Sequence, residues 1–225
     1  LENSGEFRKR SIDMKLVLLG APGSGKGTQA VYISEKYSIP AISTGEILRT
    51  AIRNETDIGL KAKEYVEAGK LVPDEIILGI ISDRISQEDC KNGFILDGFP
   101  RTVRQAEALE EAAPVDCALA LEVPDSVIVK RMTGRRVCKN CGRTYNVHGM
   151  PSKHEGICDA CGAELITRSD DDPETVRERL KVYHRESEPL KGFFESRGKL
   201  RTVVADHDRA ELTAALIFEV LGAIV

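Results

Sequence analysis

Short apolar runs alternate along this chain with longer helix-compatible stretches. The runs are Leu16 to Leu19, Ala41-Ile42, Phe94 to Leu96, Ala118 to Leu121 and Leu200 to Val204. Most are continuous rather than alternating, as expected of strands covered on both faces of a parallel sheet. Helices are predicted over Gln29 to Tyr37, Gly45 to Arg53, Leu60 to Ala68, Asp74 to Ser86, Val103 to Ala112, Asp125 to Thr133, Pro173 to Glu186 and Ala210 to Leu221. The punctuation agrees: Gly69 can end a helix, Asp172-Pro173 can cap and start one, and Pro124 stops the preceding strand. The alternation predicts an α/β fold in three layers, with a central parallel sheet of about five strands.

Two segments break the alternation. Thr44 to Val72 holds two helical stretches with no strand between them, and Gly134 to Asp171 is rich in Cys, Gly and charge with almost no core-forming pattern. Both are expected to leave the sheet and return to it at Pro73 and Pro173. Leu1 to Asp13 carry no apolar period before the strand at Met14; they read as a tag or cloning remnant, with a structured N-terminal arm as the alternative.

The first strand runs into Gly20-Ala21-Pro22-Gly23-Ser24-Gly25-Lys26-Gly27-Thr28 and then a helix. Glycines let backbone N–H groups of Gly23, Ser24, Gly25, Lys26, Gly27 and Thr28 turn inward on one anion. The helix N-terminus and the Lys26 ammonium add positive potential, so this P-loop predicts a bound nucleotide polyphosphate. Gly27 stands where the general pattern has the Mg²⁺-binding hydroxyl, so the metal is expected to be held mainly by phosphates and water.

Composition narrows the classes. With 225 residues the chain can bury a substantial core, and a net charge of −4 with a pI of about 5.7 provides no global basic field for nucleic acid. No run of eighteen apolar residues and no leader-like segment is legible, which sets a cytoplasmic location and no membrane partner as the expectation. No large oligomer seam is apparent, and a monomer is expected.

Cys138, Cys141, Cys158 and Cys161 form two Cys-x₂-Cys knuckles, each followed by glycine. Two knuckles closing a tetrahedron leave no place for catalytic water, which predicts a structural Zn²⁺ stabilising a segment too small for its own core. Disulfides are the rival in an oxidising compartment, and a nucleic-acid-binding ribbon is a second, opposed by the acidic run Asp170-Asp171-Asp172. Cys90 and Cys117 lack partners at ligand spacing and are expected to be buried.

A further strand ends in Asp97 and continues Gly98-Phe99-Pro100-Arg101. A carboxylate there lies near a P-loop on a neighbouring strand, where it can orient water around Mg²⁺; a turn cap is the alternative. Arg101 and Gln105 are four apart and would share a helix face. Arg49, Arg131, Arg135, Arg168 and Arg179 recur at the edges of the two excursions. Singly they are surface charges, but guanidinium forks that converge can stabilise a transferring phosphoryl group, and a set beyond the P-loop implies a phosphorylated acceptor.

Gly20 to Ala30, Ser43 to Arg49, Gly69 to Asp74, Asp97 to Arg101 with Gln105, Gly134 to Arg136, and Thr167-Arg168 with Asp170-Asp171 together resemble the adenylate kinase family, in its bacterial long-lid form with a zinc-bearing lid. The likeness spans nearly everything from Met14 to Arg179. It implies reversible phosphoryl transfer from Mg-ATP to AMP giving two ADP. It also implies a core of 14–42, 73–133 and 172–225, an AMP-binding domain at 43–72 and a lid at 134–171. Lys26, Arg101, Arg131, Arg135, Arg168, Arg179 and Asp97 would serve the transfer. ATP would meet Gly23 to Thr28, Arg135, Thr144, Tyr145 and, at the adenine, His207. AMP would meet Thr44, Arg49, Lys70, Leu71, Val72, Gly98, Phe99, Pro100, Arg101, Gln105, Arg168 and Arg179. Glu46 stands where the family commonly has aspartate, and Val204 to His207 departs from its usual Asp-Gly turn. Another nucleoside monophosphate kinase, accepting UMP or CMP or using GTP, is the nearest alternative, and a P-loop switch a more distant one.

Overall fold

The computed structural model describes residues 13–207 and 209–223; the expected N-terminal tag lies almost wholly outside them. Five strands, β1 (Met14–Leu19), β2 (Ala41–Ser43), β3 (Gly93–Asp97), β4 (Cys117–Glu122) and, near the C-terminus, a strand over Leu200–Val204, form one parallel sheet. The predicted runs therefore belong to one sheet. The reason for their continuous apolarity is visible in β1: Val17 and Leu19 enter one buried cluster with Leu96, Phe99 and Phe194, while Leu16 and Leu18 enter the opposite one with Ile33, Leu119 and Ile217. Both faces of the strand are dry, so neither can be polar.

Helices α1 (Lys26–Tyr37), α2 (Thr44–Arg53), α3 (Asp57–Glu67), α4 (Asp74–Ile85), α5 (Val103–Ala112) and α6 (Asp125–Thr133) come next. Helix α1 begins three residues before the expected Gln29 because Gly25, at φ 98°, makes the left-handed turn that lets Lys26 start it. The 43–72 region holds α2 and α3 and no strand between them, as predicted. Ser43 Oγ accepts from Glu46 N at 3.4 Å and Thr56 Oγ1 from Gly59 N at 3.1 Å, capping the two helices. Gly59 is compulsory there: a Cβ would lie 2.1 Å from the Ala51 carbonyl oxygen.

After α6 the chain forms an antiparallel sheet of β5 (Arg135–Cys138), β6 (Thr144–Asn146) and β7 (Leu165–Ile166). These strands carry no apolar period because little is buried between them: Cys138, Tyr145 and Cys158, with Ala163 and Leu165 alongside. Helix α7 (Pro173–Val182) follows, N-capped by Asp172, whose Oδ1 accepts from Glu174 N at 2.9 Å. It passes into a π-helical turn over Tyr183–Ser187 in place of the expected α-helix to Glu186. Helix α8 (Leu190–Glu195) was not predicted; too short for a period, it forms because Leu190, Phe193 and Phe194 bury against the sheet. Strand β8 (Leu200–Val204) and helix α9 (Ala210–Gly222) complete the order, and the large sheet reads β2-β3-β1-β4-β8. Among the described residues no helix is long and apolar enough to cross a membrane.

Candidate active site

Parallel pairing places the chemistry at one sheet edge. Leu18 of β1 is in register with Asp97 of β3, and Asp97 with Ser43 of β2, so the P-loop after β1, the carboxylate ending β3 and the start of α2 meet at the strands' carboxyl ends. Lys26 Nζ donates to the carbonyls of Gly20 at 2.7 Å and Ala21 at 2.9 Å. Burial lowers its pKa to about 8; Asp97 opposes that shift, while Arg101, Arg179 and Arg135 add to it. The odd residue of the P-loop finds its reason here. A Cβ on Gly27 would stand 3.3 Å from Asp97 Oδ2, so a side chain at that position would crowd the carboxylate.

Two cavities open from this edge. The larger is lined by the loop from Gly23 to Thr28, Asp97, Arg131, Arg135, Thr144, Tyr145, Arg168 and His207. The smaller is lined by Thr44, Arg49, Lys70, Leu71, Val72, Gly98, Arg101, Gln105 and Arg179. Arg49, Arg101 and Arg179 wall both, so guanidinium groups stand where the contents of the two cavities would meet. Arg131 Nη2 donates to the His207 carbonyl at 2.7 Å, and its Nη1 lies 3.5 Å from the Ser24 carbonyl, joining the segment after β8 to the P-loop.

Two of the arginines are paired with buried carboxylates. Arg179 Nη1 donates to Asp170 Oδ2 at 2.5 Å, and Arg135 grips Asp171 with Nε at 2.8 Å and with Nη2. Burial would raise Asp170, but Arg179, Arg135, Arg49 and Arg168 hold its carboxyl below the usual range. Burial pulls Arg168 and Arg179 each down to about 10, with neighbouring guanidinium groups contributing. In the sequence Asp170-Asp171 reads as an acidic run and as part of the family-like motif; the pairing with Arg135 and Arg179 depends on tertiary contacts that spacing does not reveal.

Not every expected residue faces a cavity. Phe99 is 1% exposed and packs in the sheet core, so its place is beneath the smaller cavity rather than in its wall. Pro100 and Arg168 line the larger cavity. The Tyr145 hydroxyl is turned into the small sheet, 3.4 Å from Cys158 Sγ and accepting from Asp159 N at 2.8 Å. Arg101 precedes α5 rather than sharing a helical face with Gln105; its backbone N–H donates to Gln105 Oε1 at 2.7 Å. Cys90 and Cys117 are buried, and Cys90 also accepts from Arg84 Nη1 at 3.0 Å.

Away from the sheet edge, the sulfurs of Cys138, Cys141, Cys158 and Cys161 lie within 4.8 Å of one another. Cys138 and Cys161 are 3.4 Å apart and Cys141 and Cys158 3.6 Å, with all four thiols free of disulfides. The edges of a tetrahedron with metal–sulfur bonds of about 2.3 Å are about 3.8 Å, so this donor set suits a thiolate-bound metal, not two disulfides at about 2.05 Å.

Residues 18–199 match the sequence model of adenylate kinase. The chain belongs to the adenylate kinase family. It is similar to the adenylate kinase of Caldicellulosiruptor bescii, with 52% identity covering 91% of this chain and 97% of that one. The adenylate kinase of Lachnoclostridium phytofermentans is 54% identical over 91% of this chain and 96% of its own, and that of Acetivibrio thermocellus 58% over 84% and 90%. Within an adenylate kinase the depressed Lys26 has a measurable consequence. Phosphate oxygens favour the ammonium form, so polyphosphate binding should raise this pKa from about 8, drawing in a proton. The sign is fixed: affinity is greatest below pH 8 and falls as pH rises through it. Calorimetry at pH 8.5 in buffers of differing ionisation enthalpy should record net proton uptake, absent in Lys26→Met.

Proposed function

We propose that the chain transfers a phosphoryl group reversibly from Mg-ATP to AMP, giving two ADP, with ATP in the larger cavity and AMP in the smaller. The carrying observation is the arginine wall common to both cavities, Arg49, Arg101 and Arg179, with the P-loop lysine on one side. The γ-phosphoryl of a nucleotide cradled by Gly23 to Thr28 would face the acceptor phosphate across these groups. Lys26, Arg131, Arg135 and Arg168 would close the remaining sides.

The AMP phosphate is already a competent nucleophile, so no side chain has to remove a proton. Positioning and charge neutralisation carry the rate. The Mg²⁺ of the Mg-ATP substrate would supply neutralisation of the developing charge. This chain would hold its water shell through Asp97, beside the space that Gly27 leaves open. Arg135, Thr144 and the 134–171 segment would act as a lid that excludes water and so protects ATP from hydrolysis, residues 43–72 as the AMP-binding domain, and 14–42, 73–133 and 172–225 as the core. The four cysteines would hold Zn²⁺ as a structural ion.

ADP formation from ATP plus AMP tests the reading, coupled to a panel of acceptors. AMP is expected to be the best acceptor by at least about a hundredfold in kcat/KM, as a base-reading site requires. Faster phosphorylation of UMP or CMP would assign the smaller cavity to a different base.

A further inference from the structure

Gln105 is 2% exposed and its amide lines the smaller cavity, yet it is held from behind by two groups that each have only one hydrogen-bonding role. The Arg101 backbone N–H can only donate, and it meets Oε1 at 2.7 Å. The Asp74 carboxylate, when ionised, can only accept, and its Oδ1 meets Nε2 at 2.7 Å. An amide turned by 180° would place its oxygen against the carboxylate and its NH₂ against the N–H, so the orientation is fixed by chemistry. One lone pair on Oε1 and one hydrogen on Nε2 remain. Asp74 itself is partly buried at the first residue of α4, outside the lining of either cavity, separated by Pro73 from the Lys70–Val72 strap that forms one wall.

We propose that Asp74 is a positioning residue that locks the Gln105 amide, so that the acceptor site reads a 6-aminopurine and rejects a 6-oxopurine. The inference rests on the reading that Gln105 faces the acceptor base. Adenine offers an N6–H donor beside the N1 acceptor, which the locked Oε1 and Nε2–H complement. Hypoxanthine reverses both, with O6 accepting and N1–H donating, and only a flipped amide matches it. Asp74 is also a first-turn carboxylate that interacts favourably with the positive end of the α4 helix dipole, a role that would affect both acceptors equally.

Asp74→Asn keeps the shape but can present either an oxygen or an NH₂, so it releases one of the two locks; Asp74→Ala removes that lock outright. The readout is the ratio of kcat/KM for AMP to that for inosine monophosphate, measured beside the KM for ATP, the thermal midpoint and the same ratio in Gln105→Ala. The expected result is a fall in the ratio of about tenfold, the value of one reoriented hydrogen bond, with the ATP KM unchanged. A fall of less than about threefold in both Asp74 variants, or equal losses with both acceptors, overturns the proposal, provided Gln105→Ala lowers the ratio. If Gln105→Ala leaves the ratio unchanged, the assignment of Gln105 to the base is wrong, and the role of Asp74 falls with it.

Discussion

Replacing Arg168 with alanine is expected to lower kcat for ADP formation about a thousandfold while the protein keeps its thermal midpoint. Arg168 is the clean choice among the clustered arginines. Its guanidinium lines the larger cavity and makes no side-chain hydrogen bond or ion pair within 4 Å to another described residue. Burial pulls its pKa down to about 10, and the Arg49 and Arg135 charges add to that, against the pull of Asp170 and Asp171. Removing the group therefore relieves desolvation and repulsion in the free enzyme while withdrawing positive charge from the position the transferring phosphoryl would occupy. Kinetics and melting should part company: a large loss of kcat with an unchanged or slightly raised midpoint. A kcat within about tenfold of the parent would remove Arg168 from the transfer machinery.

Arg135→Ala should behave differently, and the contrast tests the same electrostatic account. Its partner Asp171 has a side chain with no exposed surface, so deleting Arg135 strands a buried carboxylate. Removing one member of such a pair costs about 3–5 kcal/mol. Some of that is recovered through Arg179, whose Nη1 is 4.0 Å from Asp171 Oδ1. Slower turnover is therefore expected of both variants, and a lower midpoint of Arg135→Ala alone.

The parts legible in the sequence are those whose physics is local. The P-loop could be read because its glycines, lysine, preceding strand and following helix are contiguous. Strands β1, β3 and β4 could be read because both their faces are dry, whereas the edge strands β2 and β8 are partly exposed. The four cysteines could be read because metal spacing is a local constraint. What escaped depends on contacts between distant segments. Asp170 and Asp171 look like a solvated acidic run until the short turn before α7 sets them against Arg179 and Arg135. Phe99 stands inside a phosphate-site motif, yet its side chain belongs to the core. Asp74 reads as a helix-start acid, and only the tertiary fold brings it, 31 residues away in sequence, within 2.7 Å of Gln105. Helix α8 and strands β5 to β7 are too short for periodicity to register, and the small sheet has few buried side chains to impose one.

That scarcity of core underlies the second large effect. Strands β5, β6 and β7 contain four, three and two residues, and the buried hydrophobic cluster between them includes two of the cysteines themselves, Cys138 and Cys158. Without metal, little apolar surface remains to offset the chain entropy of ordering residues 134–171, and the four sulfurs within 4.8 Å of one another lose the ion that would bond them together. Metal binding is therefore expected to provide most of the folding free energy of this segment. Stripping the metal with a strong chelator, or substituting Cys158→Ser, should lower the thermal midpoint by roughly 10 °C. Hydrogen exchange should show where the loss lies, with protection disappearing from 135–166 and persisting in the parallel sheet. Turnover should fall with the same temperature dependence as that lost protection, because Arg135 and Thr144 lose their places when the small sheet opens. Below the local transition, the remaining ordered fraction should turn over at the normal rate. Complete loss of turnover in metal-free protein that keeps full protection over 135–166 would instead assign the metal a part in the chemistry.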